Sequence, residues 1–328
     1  AKNRRLKTSL RTASRFGRIV GKSKAMQEVY ENILKAAESN AHVIIYGASG
    51  TGKELGAKTI HDLSDRGSKK FVTVHCGAVP DNLIESEFFG YLKGAFTGAD
   101  QNKPGYLDAA DGGTLFMDEV GELNLTLQVK LLRAIEGGGY TPIGGSEVKQ
   151  ADLRIVAATN RNLRSSLASG RFRKDFYYRI HILPIHLPSL STRKEDIPLL
   201  VNHFVNDFAH GDKLPVVPQR VIAAMQRYEW PGNVRELQNT VQRYITLGEI
   251  DFLDIPPDSE DDTAPHSVDL TRLQPERLDL SLSEAVGSFE KAYIERLLKD
   301  HQWHRSRVAE LLGVDRRTLF RKMKAHGL

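Results

Sequence analysis

The apolar residues of the chain follow two alternating patterns between about residues 17 and 190. Short continuous apolar runs, typical of buried strands, are separated by amphipathic segments such as 125–136, in which apolar residues recur every three or four positions. Strands that alternate with helices predict an α/β fold with a parallel sheet and helices on both faces. The candidate strands are HVIIYG (42–47), FVTVHC (71–76), GTLFMDE (113–119), LRIVAATN (153–160) and HILPIHL (181–187).

The remaining segments show helical patterns or none. Leu6 and Leu10, four residues apart on a charged background, predict that 1–16 is the end of a linker helix. Residues 191–250 contain EDIPLLVNHFVNDFA and NVRELQNTVQRYITL, which predict a helical subdomain after the α/β subdomain of 17–190. Residues 251–280 include the acidic, Pro-rich DIPPDSEDDTAPHS, typical of a flexible linker. Residues 281–328 predict a separate all-α module.

Composition indicates a globular protein without a membrane span. The chain has 328 residues, enough for two or three domains, and is 40% hydrophobic and 27% charged. No apolar run approaches the ~18 residues of a membrane helix, and no apolar signal-peptide core follows the basic start. Because residue 1 is Ala rather than Met, we expect a fragment or a processed form. The single cysteine, Cys76, excludes an intrachain disulfide, fits a reducing cytoplasm and is interpreted as a small buried hydrophobe.

Charge is distributed unevenly around a net value of +5. Residues 1–24 carry nine Lys or Arg and no acid, residues 301–328 carry seven Lys or Arg against two acids, and the middle is acidic. Basic ends on an acidic middle suggest nucleic acid as a partner of at least one end. The alternative for the N-terminal run, which lacks a motif, is a solvated surface.

A glycine-rich loop follows the first apolar strand, in VIIYGASGTGKE. It matches G-x-x-x-x-G-K, in which backbone N–H groups turn onto phosphate oxygens ahead of a helix N-terminus. Glu54 stands where a Ser or Thr magnesium ligand is usual, so metal binding requires another carboxylate. The motif predicts a nucleotide site in which Lys53 reaches the β- and γ-phosphates and whose loop is Gly47, Ala48, Ser49, Gly50, Thr51 and Gly52.

Polar residues end two further predicted strands. Asp118 and Glu119 end TLFMDE, where Asp118 can hold Mg²⁺ directly or through water and Glu119 can polarise an attacking water. Thr159 and Asn160 end another strand, and strand ends in such sheets line the nucleotide cleft. Asn160 can position the water or sense the γ-phosphate, the alternative being a strand-end turn residue.

Arginines and one exposed aromatic segment complete the candidate residues. GRFRKDFYYRIHI carries Arg171, Arg173 and Arg179, and WPGNVREL carries Arg235 near a helix start. An arginine supplied by a neighbouring subunit can stabilise charge on a transferring phosphoryl group, although surface salt bridges are the alternative. YLKGAFTGAD (91–100) places Phe96 between glycines, which predicts a mobile loop that contacts a partner, or else a plain surface turn.

Together, GASGTGKE, ESEFFGYLKGAFTGAD, GGTLFMDEVGEL, AATNRNL, GRFRKDFYYRI and WPGNVREL resemble the central domain of bacterial sigma-54-dependent activators, the NtrC-type enhancer-binding proteins of the AAA+ class. The resemblance covers about residues 17–250. It implies a Walker A loop from Gly47 to Glu54, where glutamate is usual in this family. It further implies that Asp118 and Glu119 form Walker B and that Thr159 and Asn160 form sensor I. The implied cofactors are ATP and Mg²⁺.

The same resemblance implies an assembly and a partner. Arg173 and Arg179 match a pair proposed to reach the ATP of a neighbour, and Arg235 matches sensor II. Family members form rings, so a hexamer or heptamer is expected in the bacterial cytoplasm. ATP turnover is expected to move a loop that contacts sigma-54 RNA polymerase holoenzyme and remodels the closed promoter complex into the open one. The loop residues are Gly94, Ala95, Phe96, Thr97, Gly98 and Ala99.

Residues 281–328 resemble the Fis-type helix-turn-helix that ends many family members, which implies binding to double-stranded enhancer DNA at the nucleoid. The pattern predicts a first helix over 306–312, a turn at Gly313-Val314, and a second helix capped by Asp315 with Leu319 and Met323 facing the core. FEKAYIERLL is expected to pair two chains on palindromic half-sites. A helical hairpin without DNA is the alternative. The arginines of the second helix can contact either guanine edges or phosphates. The predicted DNA-binding residues are Arg316, Arg317, Thr318, Arg321 and Lys322.

One position departs from the family pattern. His75 in VHCGAV stands where the family usually has the Asn of NCAAL, which is thought to restrain the Walker B glutamate. His75 can hydrogen-bond Glu119 with altered geometry and protonation, so we predict altered coupling between hydrolysis and sigma-54 engagement. A buried strand-end histidine without a switch role is the alternative. The competing functions are a non-catalytic DNA-binding regulator, which would lose GAFTGA, and an AAA+ machine acting on another substrate.

Overall fold

The computed structural model describes residues 15–208, 216–248 and 250, and, with gaps, 290–326. The chain divides into two compact units at residues 259 and 260. The first unit holds both the α/β and the helical segments, and the second holds the C-terminal module. The predicted linker of 251–280 lies outside the described residues.

A parallel five-stranded sheet forms the centre of the first unit. Its strands are β3 (Val43–Tyr46), β4 (Phe71–His75), β5 (Thr114–Asp118), β6 (Arg154–Thr159) and β7 (Leu183–His186), in the order β4-β5-β6-β3-β7. All five predicted strands and their parallel pairing are confirmed. Pro184 lies in the edge strand β7, where a missing backbone N–H is tolerated.

A short hairpin precedes the sheet. It consists of β1 (Arg15–Phe16) and β2 (Ile19–Val20), which pair antiparallel around Gly17 at φ 58°. The predicted helix over 1–16 is therefore wrong at its end, because Phe16 packs as a strand residue against Tyr30. Residues 1–14 lie outside the described residues.

Helices cover both faces of the sheet, as the sequence predicts. Alternate residues of one strand enter opposite cores: Ile44 packs in one, and Val43 and Ile45 in the other. Such alternation follows from the two-residue period of a strand. The helices are α1 (Lys24–Ala37), α2 (Lys53–Leu63), α3 (Asp81–Phe89), α4 (Tyr106–Ala110), α5 (Leu125–Ile135), α6 (Leu163–Ala168), α7 (Lys174–Ile180), α8 (Ile197–Phe208), α9 (Gln219–Arg227) and α10 (Asn233–Leu247).

The segment predicted to be helical folds as α8, α9 and α10 after a short 3-10 helix at Leu190–Asp196. These helices enclose a third core, in which Phe204, Met225, Trp230 and Leu237 are buried. Helix α10 begins and ends where NVRELQNTVQRYITL does. Gly248, at φ 79°, terminates it. Among the described residues, no helix is long and apolar enough to cross a membrane.

The second unit contains helix α11 (Arg316–His326). Leu319 and Met323 are buried in a small core with Ile294, Leu298 and Val308, which confirms their predicted orientation. Within the predicted first helix over 306–312, Val308 and Ala309 are helical and buried, whereas Leu312 lies in a turn and is partly buried. Gly313 and Asp315 lie outside the described residues, so the predicted cap is a sequence expectation only.

Candidate active site

The glycine-rich loop connects β3 to α2 at the carboxyl edge of the sheet. Gly50 and Gly52 have φ values of 77° and 97°, which favour glycine. No side chain caps α2 at Gly52, so the first N–H groups of this helix have no side-chain acceptor from the N-cap residue. The predicted strand, loop and helix are confirmed, and their geometry suits an anion such as a phosphate.

Lys53, the first residue of α2, folds back over this loop. Its Nζ donates to Gly47 O at 3.0 Å and to Ala48 O at 3.1 Å. Burial lowers the pKa of Lys53, and the carboxylates of Asp118 and Glu119 oppose that shift. The ammonium group therefore lies on the loop and interacts electrostatically with the two predicted Walker B residues.

Strand order brings the other strand-end residues beside this loop. β6 lies between β3 and β5, and Gly47 N donates to Thr159 O at 3.3 Å. Asn160, exposed at the end of β6, therefore lies between the loop and Asp118 at the end of β5. The sheet brings together the residues that the sequence predicts for the loop, Walker B and sensor I.

The Walker B carboxylates have different surroundings. Asp118 Oδ1 accepts from Glu119 N at 2.9 Å, and Asp118 Oδ2 lies 3.5 Å from His75 Nδ1. Glu119 has a left-handed backbone, at φ 55° and ψ 42°. A Cβ built on Gly77 would lie 2.5 Å from Glu119 Oε2, so the missing side chain at this position makes room for the carboxylate.

This geometry corrects one expectation about His75. Its ring makes its polar contact with Asp118, which β4–β5 register places directly opposite, and not with Glu119. His75 is also largely exposed, so it is not a buried strand-end histidine. Cys76, by contrast, is buried, and burial raises the pKa of its thiol, as expected for a small hydrophobe.

The donors of this site suit a magnesium ion that arrives with a nucleotide. Among the described residues, no group of three or more His, Cys, Asp or Glu side chains is arranged to hold a metal. Mg²⁺ needs only one or two carboxylates when phosphates and waters complete its shell, and Asp118 offers one at the sheet edge. Glu54 is the second residue of α2, and the structure records no contact that makes it a metal ligand.

The helical part of the unit docks on the glycine-rich loop through the start of α10. Gly50 O accepts from Val234 N at 3.0 Å and from Arg235 N at 3.3 Å. Arg235 Nη1 reaches Ser49 Oγ at 3.4 Å, which places the predicted sensor II arginine at the loop. A Cβ on Gly50 would lie 2.2 Å from Gly232 O, so only glycine permits this approach.

Sequence reasoning did not assign a role to Asn233, which joins three segments here. Its Nδ2 donates to Ser49 O at 3.0 Å and to Pro231 O at 3.3 Å, and its Oδ1 accepts from Leu190 N at 2.8 Å. The residue is 2% exposed and has φ 54°, a conformation that asparagine tolerates better than most residues. The only signal in the sequence is Pro-Gly-Asn at a helix start, which is typical of a turn.

The predicted arginines in and just before α7 differ in their exposure and partners. Arg173 is exposed and pairs with Asp175 through two hydrogen bonds of 3.1 and 2.7 Å, and this pairing raises the pKa of Arg173. Arg179 is half-buried and donates to Ile135 O at 3.0 Å within its own chain. Arg171 is exposed and donates to Ser169 Oγ at 3.1 Å. Arg173 is therefore the more accessible of the predicted pair.

The GAFTGA segment forms a loop between α3 and α4 that is exposed at its tip, whereas the predicted contact residue Ala99 is buried. Gly94 and Gly98 have φ values of 82° and 95°, and Gly94 N donates to Ala99 O at 2.9 Å, which closes a compact turn. Phe96 at its tip is 44% exposed, and its ring packs edge-on against Tyr91 with centroids 4.9 Å apart. The loop thus presents an apolar ring on a glycine-bounded turn.

The segment EGGGYTPIGG (136–145) packs against the GAFTGA loop. Leu92 N donates to Ile143 O at 3.0 Å, and Ile143 N donates to Gly90 O at 2.9 Å. A Cβ on Gly144 would lie 2.7 Å from Ala95 Cβ, so the two loops touch at a glycine. The two loops are therefore packed on each other.

Lys322 differs from the other predicted DNA-binding residues of α11. Its Nζ pairs with Glu290, whose other carboxylate oxygen lies 3.1 Å from His326 Nε2. These contacts lower the pKa of Glu290. Arg316, Arg317 and Arg321 are exposed, whereas Lys322 fastens α11 to another helical segment of its own unit.

The parallel sheet, its P-loop, the strand-end acids and the helical lid define the first unit as an AAA+ P-loop NTPase fold. The sequence matches the families described as "Sigma-54 interaction domain" over residues 19–186, "AAA+ ATPase lid domain" over 191–268 and "Bacterial regulatory protein, Fis family" over 285–326. The chain belongs to the family of sigma-54-dependent transcriptional regulators, which carry a Fis-type helix-turn-helix after the ATPase domain.

Named relatives support the same family assignment. The chain is 40% identical to the nitrogen fixation protein AnfA of Azotobacter vinelandii, over 99% of its own length and 60% of AnfA. It is 38% identical to the regulatory protein AtoC of Escherichia coli, over 99% of its length and 71% of AtoC. A crystal structure of NtrX from Brucella abortus in complex with ATP is 34% identical, with a TM-score of 0.65, and is covered over 73%. The chain thus spans about three fifths to three quarters of these proteins.

Proposed function

We propose that this chain binds and hydrolyses ATP and uses the turnover to activate transcription by sigma-54 RNA polymerase. The observation that supports this most is the convergence of Lys53, Asp118, Glu119 and Asn160 at one sheet edge, with a lid residue, Arg235, on the same loop. Lys53 and the loop N–H groups hold the phosphates, and Asn160 and Glu119 orient and polarise the attacking water. Asp118 would hold Mg²⁺, which would neutralise charge on the phosphates.

The chain is proposed to act as a ring at enhancer DNA in the bacterial cytoplasm. Arg173 is exposed immediately before α7, and its guanidinium pairs with the exposed carboxylate of Asp175, so it can leave Asp175 for the nucleotide of an adjacent subunit. A hexamer or heptamer in the presence of ATP is expected in sedimentation experiments. A chain that stays monomeric or dimeric at all ATP concentrations would contradict this part.

Phe96 is proposed to contact sigma-54. The ring is exposed at the tip of its loop and packs against Tyr91, so Phe96→Ala should keep the ATPase rate while losing sigma-54 binding and promoter opening. Leu125→Ala is a matched control, because Leu125 is 45% exposed on the same unit. A Phe96→Ala protein that still opens promoters would refute the assignment.

One reaction separates the candidate functions. The protein is mixed with ATP, sigma-54 holoenzyme and an enhancer-bearing promoter, and melted DNA is detected by permanganate. Melting that requires ATP and is lost in Glu119→Gln supports the proposal. ATP hydrolysis without melting would favour an AAA+ machine acting on another substrate, and neither activity would favour a non-catalytic DNA-binding regulator.

His75 is proposed to alter the coupling between hydrolysis and sigma-54 engagement, since it contacts Asp118 where the family's asparagine is thought to restrain the glutamate. ATPase rates of the wild type and His75→Asn, each with and without sigma-54, test this. Equal rates in both conditions would show that His75 has no switch role.

A further inference from the structure

Helix α11 exposes an aromatic side chain that its own core does not use. Leu319 and Met323 are buried, at 1% and 3% exposure, but Phe320 between them in sequence is 59% exposed. The helix therefore directs two apolar residues inward and one outward. A single exposed apolar side chain is common on protein surfaces, so what surrounds Phe320 decides whether it is suited to contact a partner.

The neighbours of Phe320 are cationic. Arg316 and Arg317 lie one turn before it, Arg321 follows it, and Lys324 lies one turn after it, and all four are exposed. The sequence of α11, RRTLFRKMKAH, contains no acid. A second copy of this face would place like charges together, whereas a phosphate backbone complements them. The surface therefore suits a polyanion that also offers an apolar group.

Contacts on the other side of α11 hold the helix in place. Lys322 and His326 both reach Glu290, and Leu319 and Met323 anchor the same side in the core. Phe320 thus projects from a helix whose rotation is fixed by its unit. A fixed helix is needed for a side chain to read one base position.

We propose that Phe320 reads the C5-methyl group of a thymine in the major groove, between phosphate contacts made by the surrounding cations. The inference rests on the DNA binding proposed above and adds which base the helix selects. The thymine methyl is the apolar group that a base pair presents in the major groove, and phenylalanine is among the side chains that contact it. Arginine and lysine contacts to phosphate position the helix and carry no sequence information.

The test removes the methyl group alone. A duplex is first selected from a random-sequence pool by the full chain, and each thymine is then replaced singly by deoxyuridine. We expect deoxyuridine at one position in each half-site to weaken wild-type binding by roughly three- to tenfold, which is the effect of losing one buried methyl contact. Phe320→Ala should bind the thymine and deoxyuridine duplexes equally.

Lys324→Ala is the matched control, since loss of a phosphate contact should weaken both duplexes by the same factor and reduce the salt dependence of binding. Circular dichroism checks that Phe320→Ala remains folded. If no deoxyuridine position weakens wild-type binding, or if Phe320→Ala keeps the wild-type preference, the assignment is wrong although DNA binding stands. Failure to select any duplex would overturn both.

Discussion

Asn233 is predicted to hold the lid on the glycine-rich loop, and its removal should destabilise the first unit. The side chain makes three hydrogen bonds, to Ser49 O, Pro231 O and Leu190 N. At about 0.5–1.5 kcal/mol each, their loss costs about 2–4 kcal/mol, and the buried Leu190 N–H is left without its partner. Asn233→Ala should cost about 1 kcal/mol more than Asn233→Gly, because alanine is strained at φ 54° and glycine is not.

Urea unfolding followed by the fluorescence of Trp230 measures this loss, since that indole is buried three residues before Asn233. Trp303→Phe provides a background in which Trp230 is the single tryptophan, because the chain has two. Asn239→Ala is the matched control: it removes an exposed asparagine from the same helix and should change stability by less than about 0.5 kcal/mol.

Two outcomes would refute the reasoning about Asn233. Unfolding midpoints equal to that of the wild type would show that the three hydrogen bonds contribute no net stability. Equal midpoints for the alanine and glycine variants would show that the left-handed backbone is not a constraint. We also expect weaker ATP binding in both variants, because Ser49 belongs to the phosphate loop.

Two further predictions concern other positions. A Cβ at Gly77 would lie 2.5 Å from Glu119 Oε2, on the β4 side of β5, which faces away from the P-loop. Gly77→Ala should therefore displace the Glu119 carboxylate toward the P-loop and raise the basal ATPase kcat several-fold with little change in KM. An unchanged kcat would contradict this prediction. Burial lowers the pKa of His42 to about 4, below the ~6.5 of an unfolded chain, so His42 contributes stability above pH 6.5 that is lost as the pH falls toward 4. His42→Asn keeps an acceptor for Ile155 N–H and should flatten the decline of the urea midpoint between pH 7 and 4, whereas a wild-type slope would argue against this role.

The sequence by itself determined the local elements of this protein. Apolar runs ending in Asp118 and Asn160 are strands because continuous apolar residues of that length bury in a parallel sheet. The limits of α10 follow from its amphipathic period and from Gly248, and the phosphate loop follows from glycine spacing. These features depend on neighbours within a few residues, so a linear pattern is sufficient to predict them.

The tertiary structure decided how those elements meet. Strand order places Asn160 between the loop and Asp118, although β6 follows both in the chain. The contacts of Asn233 with Ser49 and of Lys322 with Glu290 join residues 184 and 32 positions apart. No periodicity encodes such pairs, because they depend on how helices and strands pack on one another. The sequence therefore identified the candidate chemistry, and packing determined which side chains are positioned to perform it.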